Sequence, residues 1–465
     1  MRWTRPLAAL TTAGLLLAAC GQATADDPLA DDAADDAADA TDPDAPDPDA
    51  THPDAPDPDA TDPDAADPDA ADRSDVPSPT LVRELNPDDV ASLGAAVTAF
   101  GFDLHRTLLD EAAAGVSEPG TGNLVTSPLS AAVLLAMVAA GAEGETAEQL
   151  AAVLHLDDHL DARFATLLAQ LTATDDVTLT SANGLWANEG VDLEPGYTAL
   201  VEEVFDAEVQ QVPLGDPQTA AAIDDWVEQH TEGMIDELAD GLGLPDGGAV
   251  LLLANAIAFL GEWSVAFDPE FTTERGFTLS DGTIVELPLM YRASDPEAPV
   301  LTATREGYQV LRLTYGTEGR FGMEIFLPDP DNDLPTLLTT LDAEEWAAAV
   351  AALEERAVDV TLPRFTLEGE QDLGGALRAR GVTRALGPDA ELAPMTPAAV
   401  FLDRVVQVTY LEVDEEGTRA AAVTGGLMTT SAPPQFTVDR PFALTISESD
   451  SGTVLLLATI EDPRG

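Results

Sequence analysis

The chain has 465 residues, of which 86 are acidic and 20 are lysine or arginine, for a net charge of −66. All 20 of those bases are arginine, and the absence of lysine excludes Schiff-base catalysis and a P-loop lysine. Such an acidic surface repels nucleic acid and anionic lipid headgroups, so we expect no nucleic-acid partner. It suits brine or basic partners, although a GC-rich genome would also remove lysine. The apolar content of 45% is that of a globular protein with a sizeable core.

The N-terminal residues have the pattern of an export signal. Arg2 and Arg5 precede a mostly apolar run over residues 6–19, which is too short to span a membrane comfortably. The following Leu17–Cys20 resembles a bacterial lipobox, in which the cysteine is lipidated and becomes the first mature residue. We therefore expect a signal peptide over residues 1–19 and an exported chain held at the cell envelope by lipid alone, on the extracellular or periplasmic side. The alternative is an ordinary secretion signal with an incidental cysteine.

Residues 20–80 have the composition of a spacer rather than of a folded unit. From Ala25 to Asp75 the chain repeats units such as DPDA and DAAD, with almost nothing apolar beyond alanine. Such a segment cannot bury enough surface to offset its ordering entropy, and proline and charge repulsion keep it extended. A calcium-binding repeat would need glycine turns that this segment lacks. We predict a disordered stalk that follows the lipidated Cys20, the only cysteine of the chain.

Residues 81–465 contain no obvious internal linker and are predicted to form one domain. Ser127 is a predicted N-cap with Pro128 at the first helical position, and the helix that follows is apolar on nearly every face, so we expect it to be deeply buried. Helical apolar spacing predicts further helices. The predicted helices cover residues 93–115, 127–141, 145–154, 160–171 and 219–238.

Strand patterns dominate the second half of the chain. These segments are rich in β-branched residues and mostly alternate, except for 249–263, whose apolar character predicts a central strand. Helices gathered early and strands gathered late predict an α+β fold with large mixed sheets. The predicted strands cover residues 176–188, 249–263, 309–316, 321–328, 358–367, 405–413, 442–449 and 453–462.

Enzyme and metal motifs are weak or missing. The sequence contains no GxSxG or GxGxxG motif. His155 and His159 are four residues apart in HLDDH, which would put two ligands on one helix face, but no glutamate follows His155 and no third ligand suggests itself. We therefore predict neither a metal site nor a cofactor nor catalytic residues of the chain's own.

Seven segments, in the same order as in the family, resemble serpins. The resemblance covers residues 93 to 463 and implies the serpin fold, with helices packed around large mixed or antiparallel sheets and an exposed reactive-centre loop. The segments are NLVTSPLS (123–130), GAEGETAEQL (141–150), NGLWA (183–187), WVEQHTEGMI (226–235), NAIAFLGEW (255–263), VDVTLPRFTLEGEQDLGGALRARGV (358–382) and FTVDRPF (436–442).

The resemblance makes EVDEEGTRAAAVTGGLMTTSAPPQF (412–436) a hinge and reactive-centre loop. In an inhibitory serpin a protease cuts this loop, forms an acyl-enzyme, and is dragged away as the loop inserts into the main sheet. Strand alternation from Thr418 puts Ala420, Ala422 and further uncharged residues inward, of which only Met428 is large, and Arg419 outward in solvent. An inert small-residue linker would explain the smallness but not this parity. The hinge residues are Glu415, Glu416, Gly417, Thr418, Ala420, Ala421 and Ala422.

Two ways of counting place the reactive bond at adjacent positions. Counting forward from the hinge puts the cut after Ser431, before Ala432, and counting back from the Pro433–Pro434 pair puts it after Thr430. Cleavage after Met428 is a poorer third option, since it leaves a shorter tether. Either favoured residue is small and neutral, which argues against trypsin-like targets and indicates elastase-like or subtilisin-like serine proteases.

The resemblance also implies a buried polar cluster, the shutter, which must part for insertion. The matching residues are Ser127, Ser130 and Asn255, with Asn183 a weaker candidate and Gln407 where the family usually has histidine. Glutamine can satisfy the cluster by hydrogen bonds but does not titrate near neutral pH. Trp263 matches the tryptophan at the point where the loop first enters the sheet.

Two functions remain open at this stage. The first is a monomeric suicide inhibitor that forms a covalent acyl-enzyme complex with a serine protease. The second is a non-inhibitory serpin, a binding or structural module at the cell surface. Gly425–Gly426 keeps the second open because glycine weakens an inserted strand.

Overall fold

Helices gather in the first half of the chain and strands dominate the second half, which confirms the predicted α+β class. The molecule is described by a computed structural model. The described residues are 10–22, 87–115, 122–156, 163–174, 177–236, 238–239, 242–244, 250–415 and 433–465.

The helices found within these residues pack on one another and against the sheets. They are α1 (Pro87–Ala113), α2 (Pro128–Ala140), α3 (Gly144–Val153), α4 (Arg163–Thr172), α5 (Pro195–Phe205), α6 (Pro217–His230), α7 (Leu334–Thr340), α8 (Ala343–Ala351) and α9 (Gly374–Ala379). A 3₁₀ turn covers Pro269–Phe271.

The strands before residue 315 are β1 (Leu10–Gln22), β2 (Leu124–Thr126), β3 (Val177–Asn188), β4 (Ala207–Val212), β5 (Leu251–Gly261), β6 (Thr273–Thr278), β7 (Ile284–Arg292), β8 (Val300–Arg305) and β9 (Tyr308–Thr314). The later strands are β10 (Phe321–Pro328), β11 (Glu354–Arg356), β12 (Asp359–Pro363), β13 (Phe365–Asp372), β14 (Val400–Val413), β15 (Gln435–Thr437), β16 (Phe442–Glu448) and β17 (Thr453–Ile460).

These strands form three sheets. The six-stranded main sheet has the order β13-β14-β1-β5-β3-β4. A seven-stranded sheet has the order β11-β8-β9-β10-β16-β17-β2, and a four-stranded sheet has the order β15-β12-β7-β6. Non-consecutive neighbours in every sheet mean that most of the pairing is long-range.

Helix α2 is the buried support under the main sheet. Residues Pro128 to Ala139 are all buried, and the helix contacts α1, β5 and β17. The Ser127 side chain accepts a hydrogen bond from the Ser130 backbone N–H, with Pro128 at the first helical position. This confirms the predicted cap, which satisfies one of the N–H groups that a helix leaves unpaired.

One predicted helix ends earlier than its apolar spacing indicated. The pattern predicts a helix to residue 238, but α6 ends at His230. Glu232 and Gly233 have φ values of 57° and 78°, and two successive left-handed residues cannot continue a right-handed helix.

The segment predicted to be a signal peptide contributes strand β1 to the main sheet. Strand β1 lies between β14 and β5 and is antiparallel to both. Cys20 is part of this strand and pairs with Leu402 and Leu251. The first nine residues and the stalk over residues 23–80 lie outside the described residues. Among the described helices, none has the length and apolarity needed to cross a membrane.

Candidate functional site

The centre of the candidate site is a reciprocal contact between Ser127 and Gln407. The Ser127 N–H donates to Gln407 Oε1 at 3.0 Å, and Gln407 Nε2 donates to the Ser127 carbonyl at 3.0 Å. Both residues are buried. Gln407 lies on β14 and Ser127 caps α2, so this amide joins the main sheet to its supporting helix.

The two serines extend the cluster in two directions. The Ser127 hydroxyl donates to the Leu455 carbonyl on β17 at 2.8 Å. The Ser130 hydroxyl donates to the Asn255 carbonyl on β5 at 3.5 Å. The cluster therefore contacts both β14 and β5, the two strands on either side of β1.

Two asparagines complete the cluster on neighbouring strands. Asn255 Nδ2 donates to Asn183 Oδ1 at 2.7 Å, and Asn183 Nδ2 donates to the Phe205 carbonyl at 2.6 Å. Asn255 is fully buried, and its Oδ1 has no hydrogen-bond partner among the described residues. The five polar residues that the resemblance indicated thus form one connected set.

Trp263 lies apart from this set, beside the C-terminal end of β14. Its indole N–H donates to the Asp414 carbonyl at 3.0 Å. The ring stacks on Tyr315 with centroids 4.6 Å apart and an angle of 9° between the planes. The contact holds the backbone at Asp414, directly after β14 and before the loop.

Glu415 is the last described residue before the loop and is held by three contacts. It is 6% exposed. Its carboxylate accepts a hydrogen bond from Thr272 Oγ1 at 2.5 Å and lies 3.6 Å from the guanidinium of Arg364. Its carbonyl accepts from the Phe267 N–H at 3.3 Å. Neither Thr272 nor Arg364 was predicted, because no local pattern signals a contact across so much sequence.

The loop itself lies outside the described residues. Of the predicted hinge residues, Glu416, Gly417, Thr418, Ala420, Ala421 and Ala422 lie there, as do Thr430, Ser431 and Ala432 of the reactive bond. The next described residue is Pro433. The Pro434 carbonyl accepts a hydrogen bond from the Asp359 N–H at 2.9 Å. Strand β15 then pairs with β12 in parallel, so the downstream end of the loop is anchored in the four-stranded sheet.

The histidine pair considered for metal binding does not share a helix face. Helix α3 ends at Val153, and His155 follows in a left-handed conformation with φ 54°. Its Nε2 lies 3.1 Å from Asp103, and His159 lies outside the described residues. Within the described part of the chain, no three acidic, histidine or cysteine side chains are arranged to hold a metal ion.

A buried histidine lies outside the cluster. His105 on α1 has its ring nitrogens 2.9 Å from the hydroxyls of Thr126 and Thr459. Its burial disfavours the charged form and lowers its pKa to about 3. The imidazole is therefore neutral near pH 7 and serves as a structural hydrogen-bonding group.

Glu324 forms a second buried polar group, in the seven-stranded sheet. It is fully buried and accepts from Arg312 Nη1 at 2.5 Å, Thr445 Oγ1 at 2.6 Å and Ser447 Oγ at 2.9 Å. Burial raises the pKa of Glu324, and Arg312 and the two hydroxyls oppose this shift. The group ties three strands together away from the loop.

The sequence of this chain matches a known protein family and several of its members. The family model "Serpin (serine protease inhibitor)" matches residues 95–463. Leukocyte elastase inhibitor of Sus scrofa is 32% identical over 388 residues, which cover 80% of this chain and 99% of the relative. Serpin-Z10 of Arabidopsis thaliana is 31% identical over 73% of this chain and 92% of the relative.

A solved structure shows the same fold. The mouse protein-Z dependent protease inhibitor has a TM-score of 0.69 with 24% identity, over 81% of this chain and 98% of that chain. At this level of identity the match shows the fold, which is that of a serpin. The chain belongs to the serpin family.

Proposed function

We propose that this protein inhibits serine proteases by loop cleavage, acyl-enzyme trapping and insertion of the cut loop into the main sheet. The observation that carries the proposal is the place of β1. The main sheet accepts an additional strand between β5 and β14, antiparallel to both. A loop that leaves the end of β14 and turns back into the sheet would run in that same direction.

The chemistry of the first step belongs to the protease. Its serine attacks the carbonyl of Thr430 or Ser431, the peptide C–N bond breaks, and the amine of the following residue leaves with a proton. The inhibitor is then joined to the protease by an ester. Water would normally hydrolyse this ester, so trapping depends on insertion being faster than hydrolysis.

Insertion displaces the protease by the length of the inserted strand. Residues 418 to 430 would span about 40 Å as a strand, given roughly 3.3 Å per residue. The inserted backbone gains ladder hydrogen bonds on both sides, which makes the step favourable. The inward set is uncharged, and small apart from Met428, so it would enter the sheet without burying a charge.

Glu415 supports a hinge at the start of this movement. Its contacts with Thr272 and Arg364 hold the backbone at the end of β14, where an inserting loop must turn. Trp263 holds the preceding Asp414 carbonyl. Movement of the loop would begin just after these contacts.

The expected targets are elastase-like or subtilisin-like proteases. A small, neutral residue on the acyl side of the cut fits a small or shallow pocket and lacks the positive charge that a trypsin-like pocket binds. The similarity to a relative named leukocyte elastase inhibitor supports this choice of target.

The proposed place of action is outside the cell membrane. The lipobox-like Leu17–Cys20 and the acidic stalk support export, lipidation at Cys20 and tethering at the cell envelope. Mass spectrometry of the N-terminal peptide from the native host would test this. A diacylglycerol-modified Cys20 is the expected result, and an unmodified N-terminus at Met1 would contradict it.

A non-inhibitory serpin is the second candidate, favoured by Gly425–Gly426. Both functions are tested by incubating the full chain and the proposed mature chain, residues 20–465, with elastase-like and subtilisin-like proteases. A band at the summed mass that survives SDS supports trapping. Cleavage by every protease, with no such band from either chain and no gain in thermal stability of the cut protein, would support the non-inhibitory function.

A further inference from the structure

We infer that residues Leu10–Gln22 are an internal plug of the insertion slot, which keeps the unprocessed chain from trapping proteases until the segment is removed. The inference rests on the proposed function and adds a control step to it. In this account, export processing and activation of the inhibitor are the same event.

The plug is paired along both of its edges. On one side, Thr12 to Gln22 pair with Leu411 to Val400 of β14, with a register shift after Ala19. On the other side, Leu10 to Cys20 pair with Gly261 to Leu251 of β5. Strand β1 therefore satisfies the facing edges of both strands, and no free edge is left there for an inserting loop.

The plug matches the inserting loop in direction, length and charge. It is antiparallel to β14, as a returning loop would be. It has 13 residues, the same number as the segment from Thr418 to Thr430. The sequence LTTAGLLLAACGQ contains no charged residue, which suits a strand at the centre of a sheet.

The plug also crosses the main sheet at the shutter. Leu16 is the register partner of Gln407 on β14 and of Asn255 on β5. Gln407 bonds to Ser127 on one side of the plug, and Asn255 bonds to Asn183 on the other. Strand β1 thus separates the two strands that carry Gln407 and Asn255, as loop insertion requires.

Processing at the lipobox would empty most of the slot. Cleavage before Cys20 removes the strand up to Ala19 and leaves only Cys20, Gly21 and Gln22 at the end of the slot farthest from the hinge. The loop enters from the opposite end, beside Leu411 and Val413. The processed chain would therefore have a free slot where insertion begins.

A slot probe separates this inference from the proposed function. The probe is a synthetic peptide with the sequence of Thr418 to Thr430, labelled with a fluorophore. It is titrated into the full chain, the chain 20–465, and two full-length variants. The variants, Leu15→Pro and Leu15→Val, change a residue near the middle of β1. Proline removes a ladder N–H and blocks a central strand, whereas valine keeps the strand. Each chain is also tested for the SDS-stable complex.

The inference predicts that the full chain and Leu15→Val neither bind the peptide nor form the complex, whereas chain 20–465 and Leu15→Pro bind it. If Leu15→Pro does not fold, chain 20–465 supplies the comparison. Equal peptide binding by the full chain and chain 20–465 would overturn the plug, whether or not either traps protease. Peptide binding confined to the chains without the plug, with no complex from any of them, would support the plug and reject the proposed inhibitory function.

Discussion

The side-chain amide of Gln407 and the backbone of Ser127 exchange two hydrogen bonds of 3.0 Å each, between the main sheet and the helix beneath it. A buried backbone N–H and a buried carbonyl are both satisfied by one side chain, at the N-terminus of α2, where the N–H would otherwise lack an intrahelical partner. Because glutamine does not titrate, this link should be independent of pH near neutrality.

Replacing Gln407 by leucine should destabilise the protein. The Ser127 N–H would lose its partner in a buried site and the Ser127 carbonyl would keep only the Ala131 N–H, at a cost of about 1 to 3 kcal/mol in the free energy of unfolding. The matched control is Gln371→Leu, at the partly buried register partner of Gln407 on β13. Urea unfolding followed by fluorescence measures both. Equal loss of stability in the two variants would contradict the role given to this link.

Burial of His105 should make stability depend on pH below about 6.5. Its pKa is lowered from 6.5 to about 3 in the folded chain, so the unfolded chain takes up a proton between these values and the folded chain does not. The free energy of unfolding should fall as pH falls through this window, by about 2 kcal/mol between pH 7.5 and pH 5 from this residue.

Urea titrations at pH 7.5 and pH 5 test this prediction with His105→Gln, which removes the titrating group. The difference between the two pH values should shrink by about 2 kcal/mol relative to the parent chain. His155→Gln makes the same substitution at a histidine whose side chain is 41% exposed and serves as the matched control. An unchanged difference in His105→Gln would show that His105 does not contribute.

Reversing the charge at Glu415 should loosen the hinge. Glu415→Lys loses the Thr272 hydrogen bond and places an ammonium beside Arg364 in a buried position, which should lower stability by about 2 kcal/mol or more. Limited proteolysis around residues 412–418 should become faster. Glu368→Lys makes the same charge change at an exposed position of β13 and should have little effect. Similar proteolysis of both variants would argue against a hinge role for Glu415.

The alternation of inward and outward side chains in the inserted loop makes a prediction about Ala420 and Ala421. Ala420→Arg puts a charge on the predicted inward face and should abolish the SDS-stable complex while leaving loop cleavage intact. Ala421→Arg puts the same charge on the outward face, like the natural Arg419, and should retain complex formation. Stoichiometric titration against a protease that cuts the loop measures both. The opposite ranking would mean that the inserted register is shifted by one residue.

The helices and strands whose own sequence contains a strong pattern could be predicted from the sequence. Strand β10 has the predicted bounds, and α2 has its predicted cap at Ser127, because proline, serine and apolar periodicity act within a few residues. Helix α5 and short strands such as β4 and β15 were not predicted, since their existence depends on partners distant in sequence.

The candidate site was predictable only in part, for the same reason. The shutter residues were found by family resemblance, whereas the contacts of Glu415 with Thr272 and Arg364 join distant parts of the chain. The segment Leu10–Gln22 shows the limit most clearly. Its apolar run and nearby arginines are typical of an export signal, and nothing in that pattern indicates that it also fits between β5 and β14.

The most direct test of the account is the intact mass of the product formed when chain 20–465 meets an elastase-like or subtilisin-like protease. The account predicts a covalent species with the mass of the protease plus the inhibitor up to its cleaved bond, together with a released peptide that begins at Ser431 or Ala432. A mixture of fully cut inhibitor and free, active protease, with no covalent species at any protease tested, would contradict it.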